Sequence, residues 1–437
     1  MLTPLHDDST GEVSLMTAPP NDTVFTWSAP PLKFGPGALD EIGAELAATG
    51  ARRVLVLTDP DVRDTGTPAR VQDRARSAGV ECAVFDGVAV EPTDVSIDRA
   101  VRWARDTDWD AFVAVGGGSV IDTAKAVNLL TTHEGELLDY VAPPIGAGRV
   151  PDRPVKPLFA VPTTAGTGSE STAICVVDLL SKHLKAGISH PRLRPVLALV
   201  DPLTTVSMPP QVTAASGMDV LSHALESYTA VRSETRPAPD DPMRRPAFCG
   251  ANPVSDVWCE TALGLVGANL RTAVHNGRDL HARHQMALAS TCAGTGFGNA
   301  GTHLPHANAY PIAGMAEDYR PRGYPEMPVV PHGQAVAATA PAVFSWTYPA
   351  DPHRHLRAAE LLSGGTFTRT DGAEALPHVL RELMRDIDMP DGLGAFGYTE
   401  AHVESMVDGA LKQTRQLAVL PRRLDRSAAA DIFRTSL

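Results

Sequence analysis

The sequence predicts an α/β N-terminal half followed by an all-α C-terminal half. Up to Val200, short apolar and β-branched runs alternate with helical patterns, which is typical of a parallel sheet covered by helices on both faces. After Pro202 the apolar residues recur only with helical periods. A run of glycines between a strongly apolar strand and a helix, at 116–118, supports this division.

Each predicted strand of the first half is a short apolar run that ends at a polar or turn residue. The predicted sheet strands are 54–58, 81–85, 111–115, 158–161 and 196–200, with helices over 68–79, 94–105 and 120–130. Segments 172–177 and 184–188, separated by polar residues, predict a hairpin.

The second half contains helices and two irregular stretches. The predicted helices are 210–230, 255–274, 280–295, 333–346, 354–362, 373–387, 400–411 and 427–434, and the irregular stretches are 233–253 and 317–331. The predicted organisation is a flexible tail over residues 1–21, an α/β domain over 22–201 and a helical domain over 202–437.

Composition limits the function classes. A chain of 437 residues with 43% hydrophobic and 20% charged residues is typical of a globular protein of about two domains. The net charge of −13 argues against non-specific binding to nucleic acid or to an anionic membrane, and no apolar run is long enough for a transmembrane helix. Five cysteines without a C-x-x-C pair favour free thiols and predict a cytoplasmic protein.

The glycine run is placed like a cradle for the diphosphate of a dinucleotide. Glycine lets a ligand approach the backbone, and the helix that follows offers free N–H groups and the positive end of its dipole. The G-x-G-x-x-G fingerprint is missing, so a plain strand-to-helix turn is an equal alternative. The run consists of Gly116, Gly117, Gly118 and Ser119.

Two further features favour a nucleotide site. The loop 162–170 is dense in hydroxyls and glycines and follows another buried strand, which suits contacts to a ribose, an amide or a phosphate. Asp59 ends the first predicted strand, where a carboxylate accepts ribose hydroxyls and repels a 2′-phosphate, favouring NAD over NADP. The alternatives are a hydroxyl-rich loop without a ligand and an ordinary turn aspartate before Pro60.

One carboxylate and three histidines are candidates for a metal site. Asp219 and His223 are four residues apart in a helical stretch and leave one face of that helix a turn apart. With His306 and His332 they form a donor set that suits one divalent transition metal. His303 competes with His306 as a ligand, and spacing alone does not choose between them.

Together these segments resemble the iron-containing alcohol dehydrogenase family over nearly the whole chain from about Phe25. The resemblance rests on segments 116–125, 162–170 and 218–226 and on the two later histidines. It implies a Rossmann-like dinucleotide-binding domain and a helical metal-binding domain, a plan shared with dehydroquinate synthase.

The resemblance also implies a cofactor and an ion. NAD is the expected cofactor, and Fe²⁺ is the expected ion, with Zn²⁺ as the alternative. The implied metal ligands are Asp219, His223, His306 and His332, which decides against His303. The implied cofactor-binding residues are Asp59, Gly116, Gly117, Gly118, Ser119, Asp122, Thr163, Thr164, Thr167 and Lys185.

Two positions depart from the family pattern. Tyr310 stands where many family dehydrogenases have a second histidine, four residues after His306, and is the candidate catalytic residue for passing a proton or holding substrate. Packing in the cleft is the alternative role for Tyr310. Glu91, before Pro92, stands where the family usually has an asparagine near the nicotinamide. Release of the proton and of the cofactor is therefore expected to differ from ordinary dehydrogenases.

Segments 250–258, 296–301 and 310–312 resemble a branch of the family that moves hydride from a hydroxy acid to an oxoacid. The implied reaction oxidises 4-hydroxybutyrate to succinic semialdehyde with 2-oxoglutarate as acceptor. The alternatives are an NAD(H)-dependent alcohol dehydrogenase or aldehyde reductase with a specialised substrate, and a dehydroquinate synthase-like lyase. Arg320 and Arg322 are candidates for binding a substrate carboxylate, and solvated surface arginines are the favoured alternative. A homodimer or larger homo-oligomer is expected.

Overall fold

The structure is a computed structural model that describes residues 21–182, 184–324, 326–365 and 369–437. The predicted tail therefore lies, apart from Asn21, outside the described residues. The strands are β1 (Leu32–Phe34), β2 (Arg53–Leu57), β3 (Glu81–Phe85), β4 (Ala111–Gly116), β5 (Leu158–Pro162), β6 (Ile174–Leu179), β7 (Leu184–Ser189) and β8 (Leu197–Val200).

Six of these strands form one parallel sheet in the order β1-β8-β5-β4-β2-β3. Alternate residues of β2 pack on opposite faces: Leu55 and Leu57 belong to one buried apolar cluster, Val54 and Val56 to another. Burial on both faces explains why the strands are almost continuously apolar. The predicted hairpin is confirmed as the antiparallel pair β6–β7.

The sheet contains a switch in strand order. β2 pairs with β3 on one side and with β4 on the other, so the chain crosses over after β3. In open α/β sheets a crevice forms at the carboxyl ends of the strands at such a point. Here β2 is followed by Thr58 and Asp59, and β4 ends at Gly116, the first residue of the glycine run.

The helices of the first half are α1 (Ile42–Ala48), α2 (Pro60–Asp64), α3 (Thr67–Ser77), α4 (Asp94–Ala104), α5 (Gly118–Thr132) and α6 (Leu137–Tyr140). Those of the second half are α7 (Pro210–Thr229), α8 (Pro253–His275), α9 (Leu280–Ala300), α10 (Leu304–Gly314), α11 (His332–Thr347), α12 (Pro352–Ser363), α13 (Ala375–Asp386), α14 (Val403–Leu411), α15 (Thr414–Leu417) and α16 (Arg426–Thr435). The predicted fold class, a parallel α/β half followed by a helical half, is confirmed. Among the described residues, no helix combines the length and hydropathy needed to cross a membrane.

The helices around the site differ most from the prediction. Helix α10 was not expected, because Pro305 stands in its first turn and Pro311 inside it. Helix α9 continues past its predicted end through several glycines to Ala300. These glycines allow close packing: a Cβ at Gly296 would lie 2.6 Å from the Cys259 sulfur.

Candidate metal and nucleotide site

Helix α7 carries the centre of the candidate metal site. It is buried on almost all sides in an apolar cluster, yet Asp219, His223 and Glu226 lie within it. Their spacing places the three polar side chains on one stripe of the helix. Buried polar groups need partners, so this stripe must face other polar groups or a ligand.

Two further histidines converge on that stripe from other helices. Asp219, His223 and His306 each offer a ligand atom, and these atoms lie within 4.8 Å of one another. The Nε2 atoms of His306 and His223 lie 3.5 and 3.7 Å from Asp219 Oδ1. His332, the first residue of α11, places its Nε2 3.8 Å from the same oxygen. The tertiary structure thus brings together all four side chains that the sequence analysis named.

The donor set fits a divalent cation. Asp219 Oδ1 and His306 Nε2 are buried and have no hydrogen-bond partner among the described residues. A carboxylate oxygen with imidazole nitrogens is a common ligand set for iron or zinc. Burial, together with the neighbouring histidines, lowers the pKa of His223 to about 3, so its imidazole is neutral, the form that binds metals.

Glu226 contacts His306 on the side of the imidazole that faces away from Asp219. Its Oε1 lies 2.6 Å from Nδ1 of His306, and its Oε2 accepts a hydrogen bond from the His303 N–H at 2.7 Å. Burial opposes the charged form of His306, but the carboxylates of Glu226 and Asp219 outweigh it and raise the His306 pKa to about 10. The two carboxylates therefore favour positive charge at this point, in agreement with the cation fit.

His303, the competing ligand, does not face the cluster. Its Nδ1 accepts a hydrogen bond from the Leu304 N–H at 2.8 Å, and its Nε2 lies 3.0 Å from the Thr229 hydroxyl. Both ring nitrogens are thus bonded to protein groups. His303 serves as the N-cap of α10.

The glycine turn forms the start of α5 at the carboxyl end of β4. Gly117 is the N-cap residue and offers no side-chain cap, so no side chain among the described residues caps the start of α5, and its first N–H groups are available to an anion. A Cβ at Gly118 would lie 2.5 Å from the Thr167 side chain, and one at Gly117 would lie 3.2 Å from Thr164. The glycines therefore let the start of α5 closely approach the loop 162–170, called the threonine loop below.

A crevice runs from this turn to the group formed by Asp219, His223, His306 and His332, called the metal cluster below. The predicted residues that line it are Asp59, Gly117, Gly118, Ser119, Thr163, Thr164, Thr167, Asp219 and His332. Thr163 Oγ1 is buried and has no hydrogen-bond partner among the described residues, as expected for an atom that meets a bound ligand. Asp59 caps α2 by accepting a bond from the Val62 N–H at 2.8 Å, so it also has a structural role.

Two predicted cofactor residues are already bound to protein groups. Asp122 accepts bonds from the Ser169 hydroxyl and from the Val176 N–H, so its carboxylate holds the threonine loop against β6. Lys185 is buried and forms an ion pair with Glu91, its Nζ 2.7 Å from Oε2. Burial opposes this charge, but Glu91 outweighs it and the pKa of Lys185 rises.

Glu91 joins the two parts of the site. It lines both the crevice and a second cavity, which also contacts Asp219, His223, His306 and His332 and is called the cavity around the metal cluster. The Glu91 N–H donates to the Ser119 hydroxyl at 3.1 Å. Its φ of 55° lies in the left-handed region, which is uncommon for glutamate. The ion pair with Lys185 and the hydrogen bond to Ser119 hold Glu91, a departure from the family pattern, in this strained backbone conformation.

Tyr310 lines the same cavity, one turn after His306 on α10. Its hydroxyl accepts a hydrogen bond from Gln416 Nε2 at 3.2 Å, which leaves the phenolic proton free to be donated. Arg320 and Arg322, by contrast, are exposed on their loop and do not line the cavity that the described residues enclose. Their exposure agrees with the favoured alternative, solvated surface arginines.

Sequence reasoning missed Glu226 and Arg415. Glu226 follows Asp219 by seven residues on a buried helix, and this helical spacing was the available signal. Arg415 lines the cavity from α15, which is remote in sequence from every motif. No sequence pattern marked it.

A nucleotide crevice that ends at a cluster of metal-binding side chains defines a metal- and nucleotide-dependent oxidoreductase. Residues 30–202 match the model of the iron-containing alcohol dehydrogenases, and residues 247–437 match the C-terminal model of the Fe-containing alcohol dehydrogenase family. The chain belongs to the iron-containing alcohol dehydrogenase family, whose enzymes use NAD and iron.

Two curated relatives are similar over almost their entire length. The mitochondrial hydroxyacid-oxoacid transhydrogenase of Xenopus laevis is 44% identical over 426 residues, covering 96% of this chain and 92% of the relative. The mitochondrial hydroxyacid-oxoacid transhydrogenase of Bos taurus is 43% identical over 421 residues, covering 95% and 90%.

Two solved structures share the fold. A 1,3-propanediol oxidoreductase has a TM-score of 0.82 at 33% identity and covers 95% of this chain and 100% of its own. The sulfoacetaldehyde reductase of Bifidobacterium kashiwanohense, solved with NAD⁺, has a TM-score of 0.78 at 26% identity and covers 95% and 99%.

The prediction of a purely cytoplasmic protein is contradicted, because these relatives are mitochondrial proteins. The structure keeps all five cysteines as free thiols. Free thiols indicate a reducing environment, but they do not distinguish one reducing compartment from another. The inference from cysteine usage was therefore too narrow.

Proposed function

We propose that this protein is a hydroxyacid-oxoacid transhydrogenase that oxidises 4-hydroxybutyrate to succinic semialdehyde and reduces 2-oxoglutarate to 2-hydroxyglutarate. The observation that carries the proposal is that Asp219 and His332 line the same crevice as Gly118 and Ser119. A substrate oxygen at the metal position and a nicotinamide at the end of the crevice would therefore be neighbours. The 43–44% identity to enzymes of that name supports the choice of substrates.

In the proposed site, Asp219, His223, His306 and His332 hold the ion, and Glu226 fixes the orientation of His306 by accepting from its Nδ1–H. The ion supplies a Lewis acid that favours the ionised form of a substrate hydroxyl. Tyr310 is the residue placed to pass or hold the proton, since its O–H is free to donate. Burial of Asp219, His223 and His306 limits the access of water to the reacting atoms.

The nucleotide would lie along the crevice. The free N–H groups at the start of α5 bind the diphosphate, Asp59 accepts from a ribose, and Thr163, Thr164 and Thr167 contact the nicotinamide side. NAD supplies the hydride acceptor for the first half-reaction and the hydride donor for the second. The sum is balanced: 4-hydroxybutyrate loses a hydride and a proton, and 2-oxoglutarate gains both.

A two-substrate assay tests the proposal. The full chain, loaded with Fe²⁺ and NAD, is incubated with 4-hydroxybutyrate with and without 2-oxoglutarate while both products and the nicotinamide absorbance are followed. We expect succinic semialdehyde and 2-hydroxyglutarate in equal amounts, with no net NADH. Full turnover without the oxoacid, with one NADH released per aldehyde, would contradict the proposal.

That contrary outcome would favour the second candidate, an NAD-dependent alcohol dehydrogenase. The likeness to the 1,3-propanediol oxidoreductase supports this alternative. A homodimer or larger homo-oligomer is also part of the proposal. Light scattering of the purified chain measures its mass against the 46.2 kDa of one copy.

A further inference from the structure

One cation in the cavity around the metal cluster has no ion-pair or hydrogen-bond partner among the described residues. Arg415 lines this cavity together with Asp219, His223 and His306. Its guanidinium lies over the ring of Phe248, 5.2 Å from the ring centre. Within the part of the chain that the structure describes, it forms neither an ion pair nor a hydrogen bond.

The other charged groups that line the cavity are neutralised or assigned. Lys185 is paired with Glu91 at 2.7 Å, and Asp122 is held by the Ser169 hydroxyl and the Val176 N–H. Asp219 belongs to the metal cluster.

Among the described lining residues, Arg415 is thus the cation whose donors remain available. A guanidinium binds a carboxylate through two parallel hydrogen bonds, so an anionic substrate has a natural partner here.

The surroundings of Arg415 hold it in place. Phe248 supports one face of the guanidinium, and Gly187 leaves room beside it, since a Cβ there would lie 3.2 Å from Arg415 Nη1. The next residue, Gln416, is buried and donates to the Tyr310 hydroxyl at 3.2 Å. Helix α15 is therefore tied to α10, the helix that carries His306, and this fixes Arg415 relative to the metal position.

The proposed substrates share one chemical feature. In 4-hydroxybutyrate, and equally in 2-oxoglutarate, a carboxylate stands three carbon–carbon bonds from the carbon that gives or takes the hydride. The products keep the same separation. One cation at a fixed distance from the metal position would therefore recognise both members of the substrate pair.

We infer that Arg415 binds this distal carboxylate and sets the chain length of the acids that the enzyme accepts. The inference rests on the proposed function and deepens it by naming a specificity-determining residue. It also explains how a single cavity serves two different acids in turn. A neutral alcohol of the same length would gain nothing from Arg415.

Kinetics of Arg415→Met test the inference. Methionine keeps an unbranched side chain and removes the charge. We expect KM for 4-hydroxybutyrate and for 2-oxoglutarate to rise by about 30-fold, as for loss of a charged hydrogen-bonded partner, with kcat changing little. Activity with 1-butanol and with 2-oxobutyrate, which lack the distal carboxylate, should not change.

A chain-length series sharpens the test. The wild type should prefer 4-hydroxybutyrate to 3-hydroxypropionate and 5-hydroxypentanoate, and Arg415→Met should lose this preference. Arg415→Lys should restore part of it. The matched control is Arg422→Met, because Arg422 also lies over an aromatic ring, that of Trp346 at 4.7 Å, but does not line the cavity that the described residues enclose. Thermal midpoints of all variants establish that they are folded.

The outcomes separate the two proposals. If the wild type uses the acids and Arg415→Met uses them equally well, the inference about Arg415 is overturned and the proposed function stands. An equal loss with 1-butanol and with the acids likewise overturns it, since that pattern indicates a structural role. If the wild type turns over alcohols but none of the acids, the proposed function fails and the inference fails with it.

Discussion

Nδ1 of His306 lies 2.6 Å from Oε1 of Glu226, and both residues are buried. This contact fixes the imidazole so that its other nitrogen, Nε2, lies 3.5 Å from Asp219 Oδ1. A carboxylate behind a histidine is a recurrent support of metal sites, since it sets the tautomer and raises the basicity of the ligand nitrogen.

Replacing Glu226 by Gln should weaken metal binding roughly 10- to 100-fold, because the histidine loses its charged acceptor. Metal content after dialysis against graded chelator concentrations measures the change. Glu260→Gln is the matched control, since Glu260 accepts a hydrogen bond from Tyr228 on another face of the bundle. Unchanged metal affinity in Glu226→Gln would show that the contact is not needed for binding.

Alanine substitutions at His303 and at His306 should have different effects on metal binding in the same assay. His306→Ala is expected to lose the metal, because its Nε2 belongs to the ligand cluster. His303→Ala should keep the metal but unfold more easily, by about 1–3 kcal/mol, because the buried Leu304 N–H loses its acceptor and the Thr229 hydroxyl keeps only its bond to the Leu225 carbonyl. Metal stoichiometry and chemical denaturation measure the two effects, and metal loss in His303→Ala would reverse the ligand assignment.

Asp59→Asn should reduce the preference for NAD over NADP. Asparagine keeps the N-cap bond to Val62 but removes the charge that opposes a 2′-phosphate. We expect the ratio of the two dissociation constants, measured by calorimetry, to shift about tenfold towards NADP, as for roughly 1.4 kcal/mol. Asp59→Ala, which also removes the cap, should in addition lower the thermal midpoint, and an unchanged ratio in both variants would exclude a ribose contact.

Glu170→Gln should stabilise the protein, increasingly so as pH rises. Glu170 is 2% exposed, and burial raises its pKa from 4.5 to about 7. The folded state therefore holds the proton more tightly than the unfolded chain, so the wild type loses stability as pH rises from 4.5 through 7. This loss amounts to about 3 kcal/mol and should be absent in the variant.

Denaturant unfolding at pH 5 and at pH 8 measures this difference. Glu81→Gln, the same substitution at an exposed position, serves as the control. A constant difference between Glu170→Gln and the wild type at both pH values would mean that Glu170 is already charged in the folded protein.

Two features could be predicted from the sequence because both depend on local periodicity. They are the helical spacing of Asp219 and His223 and the apolar strand before the glycine run. Helix α10 could not be predicted, because Pro305 and Pro311 oppose helix formation locally while packing in the folded protein permits it. The extension of α9 could not be predicted for a related reason. Its glycines are explained only by the residues that pack closely against them in the folded protein.

By itself the sequence determined the α/β and helical halves and the four candidate metal ligands, since apolar periodicity and motif content are properties of the chain. Only the tertiary structure decided which groups those residues contact. It paired Lys185 with Glu91, placed Glu226 behind His306, turned His303 away and brought Arg415 into the cavity from α15. Such contacts join helices and strands distant along the chain, and they form only when buried polar groups must find partners in the closed core.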